Sequence, residues 1–120
     1  RAGEERLVAR RLSAMGIPIL RSVRGRGTFE GADALWLAPD HVLLAVGLRT
    51  NAGGASQVRS CLEELGVRVT MTRLPPGAMH LMGLLRILDA DLAVAWPGRL
   101  EEGALEALRR AGFQVAMAPD

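Results

Sequence analysis

Residues 58–70 read VRSCLEELGVRVT, and the junction inside them decides the fold. An amphipathic stretch with apolar residues at helical spacing runs into Gly66, and a short alternating run follows. A helix C-terminus wants a glycine there, because the residue after the last turn takes positive φ. The same junction occurs in ALRRAGFQVA (107–116) and in VARRLSAMGIPIL (8–20). The three glycines, Gly16, Gly66 and Gly112, stand 50 and 46 residues apart, so the junction marks a repeat.

The filling between the junctions repeats as well. After the first come ALWL (34–37), an APD turn, HVLLAVG (41–47) and a helix from about Gly54 to Leu65. After the second come LLRIL (84–88), a DAD turn, LAVAW (92–96) and a helix from about Leu100 to Ala111. The unit is strand, strand, helix, strand, with the first two strands a hairpin and the third returning after the helix. The expected fold class is therefore α/β, a tandem of ββαβ units, each a small sheet with one helix on its back. Residues 1–120 read as a single partial domain: the helix–strand end of one unit (1–23), a second unit (about 33–72) and a third (about 83–118). A repeat cut open at both ends needs neighbours to cover its faces, so the expectation is a portion of a longer polypeptide.

Composition narrows the classes. At 120 residues, 49% hydrophobic and 23% charged, the chain suits one small globular domain. No apolar stretch approaches the roughly 20 residues of a membrane helix, and the first residues lack a signal-peptide pattern, so the expected location is cytoplasmic. All 15 basic residues are arginines, they are scattered, and tyrosine is absent, which argues against nucleic acid as a partner. Whether the protein pairs with itself as a homodimer is left open.

Position within the repeat singles out two residues. Glu30, in RGTFEGADALWL (26–37), stands fourteen residues after Gly16, and His80 stands fourteen after Gly66. Taken one at a time, Glu30 reads as a turn or helix-entry carboxylate and His80 as a packed or exposed imidazole. Their shared position brings an acid and an imidazole face to face in a pseudo-symmetric fold, a recurrent catalytic pairing. His41 has no such partner and reads as structural or exposed. Cys61 lies near the apolar stripe Val58, Leu62, Leu65 and reads as a neutral buried thiol. Two histidines and one cysteine, widely separated, give no metal-ligand set. In GLRTNAGGASQV (47–58), Arg49 could fork onto a substrate carboxylate, or it is an exposed arginine beside a helix-capping Asn51; NAGGAS has neither the spacing nor the lysine of a phosphate loop. PGRLEEGALEALRR (97–110) reads as a solvated helix with a Glu106–Arg110 surface pair.

Four pieces in order, FEGAD (29–33), VLLAVGLRTN (42–51), MHLMG (79–83) and the helix–glycine–strand between them, resemble the guanidino-group-modifying superfamily. Its members include dimethylarginine dimethylaminohydrolase, arginine deiminase and amidinotransferases. The resemblance implies the pentein fold, a five-bladed α/β propeller of ββαβ units around a central site. It also implies roles: Glu30 as the catalytic carboxylate, His80 as general acid/base, Arg49 on the α-carboxylate of the substrate, and Asp33 at the substrate-binding loop in a supporting role. The family's nucleophile is a cysteine in the last unit, outside this chain, so the isolated segment is expected to be inactive. Met82 stands where deiminases and amidinotransferases have an aspartate, which favours the dimethylaminohydrolase-like branch. The expected function is hydrolysis of a guanidine C–N bond of arginine or a methylated arginine through a covalent cysteine intermediate, with no metal or organic cofactor. The expected partners are the small guanidine substrate and the missing remainder of the polypeptide. The alternatives are an amidinotransferase of the same superfamily or a non-catalytic pentein-fold binding protein.

Overall fold

HVLLAVG is apolar at nearly every position because its strand is covered on both faces. In the computed structural model, which describes residues 23–119, this strand is β2 (His41–Val46), the centre of a three-stranded sheet. It pairs antiparallel with β1 (Ala34–Ala38) and parallel with β3 (Arg68–Arg73), which returns after helix α1 (Ala52–Glu64). The pattern then recurs. β5 (Leu92–Ala95) lies between β4 (Leu85–Asp89), antiparallel, and β6 (Gln114–Met117), parallel, with helix α2 (Glu102–Arg110) between β5 and β6. The fold is α/β, with two successive ββαβ units. The first copy of the junction, residues 8–20 with Gly16, lies outside the described residues.

The two hairpins agree in detail. Trp36 opposes Val42 and Ile87 opposes Ala93, and each first strand then bulges by one residue before Ala38 meets His41 and Asp89 meets Leu92. None of the turn residues Pro39, Asp40, Ala90 and Asp91 has positive φ, so these are not the mirror-image turns that match strand twist. The bulge supplies the extra twist.

Both helices stop for the reason the sequence indicated. Gly66 (φ 82) and Gly112 (φ 96) follow the last turns. The Val67 and Phe113 amides each donate to a carbonyl five residues back, Leu62 and Leu108, at 3.0 Å. Gly66 and Gly112 donate to Glu63 and Arg109, also at 3.0 Å, which completes the same C-terminal cap twice.

Alternation along β2 divides the interior. Val42 and Leu44 pack with Ala55 and Val67 under α1. Leu43 and Ala45 face the other way, into a larger core shared with Leu81, Leu85 and the α2 residues Ala104, Leu105, Ala107 and Leu108. Helix α2 is thus not the solvated helix its charges suggest. Only its outer face carries the ion pairs Arg109–Glu102 (3.4 Å) and Arg110–Glu106 (3.6 Å). Its inner face is set with alanines small enough to lie close to both sheets. Leu43, Leu85 and Leu108 are fully buried, each contributing about 1.5–3 kcal/mol. Cys61 also differs from expectation: it is half-buried on α1, because only Gly54 and Ala55 of that helix are buried.

Glu101 joins the units. It stands at the N-cap of α2 but does not cap its own helix. Its Oε1 accepts from the Arg73 amide (2.6 Å) and the Thr72 hydroxyl (2.9 Å) at the end of β3. The Arg73 amide first, then the Thr72 hydroxyl, hold its carboxyl below the usual carboxylate range, against a small opposing effect of burial. A depressed folded-state value means that the link stabilises above the unfolded-state pKa and is lost as pH falls through the folded-state value. In acid titrations followed by circular dichroism, Glu101→Gln should be less stable than wild type at neutral pH and converge with it in acid. The gap should be modest, since the carboxylate is exposed. An equal gap at both ends of the titration would remove Glu101 from the acid response.

Candidate functional site

Glu30 and His80 arrive at one place by the same local route. Each is an extended residue (φ −126, ψ 133 and φ −143, ψ 153) that precedes a single 3₁₀ turn, Gly31–Asp33 and Leu81–Gly83. In each the carbonyl accepts from the amide three residues on, Asp33 at 2.9 Å and Gly83 at 3.1 Å. The two turns pack together ahead of β1 and β4. There His80 Nδ1 lies 4.0 Å from Glu30 Oε2 and 3.8 Å from Asp33 Oδ1. Two carboxylates therefore face one imidazole edge. His80 Nδ1 is buried and makes no hydrogen bond, although the His80 side chain as a whole is 29% exposed.

The two acids differ in kind. Glu30 has a half-exposed side chain. Asp33 is fully buried, and both of its oxygens are engaged: Oδ2 accepts from the Thr50 hydroxyl at 2.7 Å and Oδ1 from the Leu81 amide at 3.0 Å. A carboxylate so enclosed offers no surface to a ligand. Its two hydrogen bonds tie the turn before β1 to Thr50 and to the turn before β4.

Thr50, which sequence reasoning passed over, is the hub beneath this pair. It is fully buried, donates to Asp33, and accepts from the Glu30 amide at 3.1 Å. Its neighbour Asn51 caps α1, accepting from the Gly54 amide at 2.8 Å. The same Asn51 oxygen accepts from the Thr28 amide at 2.9 Å, and its Nδ2 donates to the Arg26 carbonyl at 2.8 Å. The segment that delivers Glu30 is thus pinned to the start of α1. Gly54 makes the approach possible, since a Cβ built there would land on the Thr28 carbonyl. The signal in the sequence is Thr50 beside the helix-capping Asn51, a polar pair between a buried strand and two glycines.

Arg49 immediately precedes Thr50, and its side chain is exposed, with no hydrogen bond or ion pair among the described residues. The structure does not bring it into contact with the Glu30–His80 pair. Met82 is 40% exposed within the second 3₁₀ turn. His41 lies elsewhere, at the start of β2, buried with Nε2 2.7 Å from the Thr70 hydroxyl oxygen. Burial first, then the Arg68 guanidinium, hold its pKa below the ordinary histidine value, against the opposing Asp40 carboxylate. Among the described residues no three His, Cys, Asp or Glu side chains cluster as a metal would need, and no helix is long and apolar enough to cross a membrane.

No family model and no curated protein matches the chain. Solved structures do match it. A complex of DDAH from Pseudomonas aeruginosa with citrulline superposes with a TM-score of 0.74 at 24% identity, over 96% of this chain and 43% of that one. The N-terminal domain of ArgZ, a cyanobacterial arginine dihydrolase of the ornithine–ammonia cycle, gives 0.79 at 17% identity, over 100% of this chain and 44% of that one. SxtG, an amidinotransferase from Microseira wollei in saxitoxin biosynthesis, gives 0.67 at 18% identity, over 96% and 40%. Over the matched length the chain has the fold shared by these guanidino-group-modifying enzymes, the pentein fold, and it spans less than half of each of those chains.

Proposed function

We propose that these residues are the central part of a hydrolase that cleaves a guanidine C–N bond of arginine or a methylated arginine, the cysteine nucleophile lying outside this chain. The observation that carries the reading is the meeting of Glu30, Asp33 and His80, from repeat-equivalent turns, at 3.8 and 4.0 Å in a fold that hydrolases and transferases of guanidines share. These distances lie within about 1 Å of a hydrogen bond, the range over which catalytic pairs tighten when substrate binds.

In this reading a cysteine thiolate attacks the guanidinium carbon, and the adduct collapses with loss of an amine. His80 gives that amine its proton and then takes one from the water that hydrolyses the covalent intermediate. Glu30 offsets the charge that develops on His80, and Arg49, exposed beside Thr50, binds the α-carboxylate of the substrate. Met82, in the His80 turn where the resemblance puts an aspartate in deiminases and amidinotransferases, favours a methylated over an unsubstituted guanidine.

The test is citrulline release by the full-length protein from Nω,Nω-dimethylarginine and from arginine, beside amidino transfer from arginine to glycine. Citrulline from the methylated substrate, with a covalent adduct in the mass spectrum of the quenched enzyme, is the expected result. Transfer without hydrolysis would replace the reading by an amidinotransferase. A full-length chain with neither activity nor adduct would leave a binding protein on the same fold.

A further inference from the structure

We propose, resting on the reading above for the roles of Arg49 and Glu30, that Asn51 selects the length of the substrate by locking the loop that carries Arg49 to the segment that carries Glu30.

The two side chains stand on different stretches of chain, and one pair of residues joins those stretches. The Gly47 amide donates to the Thr50 carbonyl at 2.9 Å, which closes residues 47–50 into a loop with Leu48 and Arg49 at its tip. Asn51 ends that loop, two residues after Arg49, and Thr28 stands two residues before Glu30. The Asn51 amide donates to the Thr28 carbonyl and hydroxyl, each at 3.2 Å, and Asn51 Oδ1 accepts from the Thr28 amide at 2.9 Å. Asn51 Nδ2 adds a bond to the Arg26 carbonyl at 2.8 Å. The position therefore needs an acceptor and a donor at the end of one short side chain, which a carboxamide supplies. Oδ1 also takes the Gly54 amide at 2.8 Å, so the lock is anchored to helix α1 as well as to the loop.

The next unit shows what is particular to Asn51. There the N-cap residue of α2, Glu101, also reaches back to the strand leaving the previous unit, to the Thr72 hydroxyl and the Arg73 amide. It has acceptors only, and residues 74–79 separate that link from His80. Asn51 acts two residues from Glu30 and two from Arg49, so it is a positioning residue for both. A substrate held by its α-carboxylate at one end and attacked at its guanidine carbon at the other must span a set distance. With Arg49 and Glu30 locked to one pair of residues that span is fixed, and a homologue one methylene longer carries its guanidine past the reacting position. One methylene is commonly worth about 10–200-fold in such discrimination.

The experiment compares kcat/KM of the full-length protein on Nω,Nω-dimethylarginine and on Nω,Nω-dimethylhomoarginine, and reads amide hydrogen exchange at Thr28 and Glu30. Wild type should prefer the shorter compound at least about tenfold. Asn51→Ser keeps a helix cap but cannot reach Arg26 or Thr28. It should lower that preference at least about threefold and speed exchange at both amides. Asn51→Asp keeps the cap and the bonds to Thr28 and loses only the donor to Arg26, so it should fall between the two, and it keeps the test alive if Asn51→Ser fails to fold. A merely structural role would weaken both substrates alike and leave the ratio where it was. An unchanged ratio, or unchanged exchange at Thr28 and Glu30, in every variant that folds would overturn the proposal. A wild-type protein that turns over neither compound would sink the hydrolase reading and the length selection with it, whereas turnover with an unaltered ratio would sink the length selection alone.

Discussion

Replacing His80 by alanine in the full-length protein is expected to lower kcat on a methylated arginine by about 10²–10⁴-fold, the usual worth of a positioned acid/base. The amine leaving group then has no proton donor, and the attacking water has no base, so both halves of the reaction slow. Folding should be little affected, because the ring is partly exposed and its Nδ1 makes no hydrogen bond to lose. His41→Ala is the matched control. It removes a buried imidazole and its 2.7 Å contact with Thr70, with a stability cost of about 1–3 kcal/mol and turnover within about threefold of wild type. If His80→Ala retains more than a tenth of the wild-type rate, the imidazole is not the proton carrier. If His41→Ala is the inactive variant, the two histidines have been assigned the wrong way round.

Gly54→Ala should be the most damaging single-methyl change in the site. By helix propensity alone it would stabilise α1 by about 1 kcal/mol. The new Cβ, however, would overlap the Thr28 carbonyl, and that carbonyl is backbone in a segment tied down through Asn51 and through Gln57, whose side chain bonds both the amide and the carbonyl of Arg24. Overpacking of this kind costs about 1–3 kcal/mol and wins over propensity. The relief available is outward movement of residues 24–30, which carries Glu30 away from His80. A displacement near 1 Å is enough to lower turnover about 10²-fold. Gly53→Ala meets only ordinary contacts at 3.7 Å, so propensity decides there and the variant should be as stable as wild type or slightly more so. Thermal melts and kcat on the pair check this directly. Equal behaviour of the two variants would mean that the segment gives way without strain.

The legible parts of this molecule were those set by short-range chemistry. Gly66 and Gly112 announce helix ends because positive φ is a local need, and the hairpins follow from apolar runs broken by APD and DAD. The meeting of Glu30 with His80 is written in their equal offsets from Gly16 and Gly66, because a repeat converts long range into short. What escaped had no local signature. Asp33 is buried by Thr50, 17 residues away, and by Leu81, 48 residues away. Helix α1 starts at Ala52, earlier than its glycines suggest, because the packing of Thr28 against Gly54 outweighs their poor propensity. The buried face of α2, Ala104, Leu105, Ala107 and Leu108, lies among charges that by themselves suggest a solvated helix, and two of its four residues are alanines with little hydrophobic signal. Glu101 looked like one more surface acid, and its use was visible only once β3 ended beside it.

Helix α1 has 13 residues and α2 has 9, while the hairpins they follow keep the same pairing and the same bulge. The difference is about one turn, roughly 6 Å of length. Strand register tolerates no such loss, because a slip by one residue would turn every side chain to the opposite face. A protein engineer can use that asymmetry. The hairpin is the part of the module to copy unchanged, and the helix is the part whose length varies by about a turn, so grafted epitopes or reporter peptides belong on the helices' outer faces.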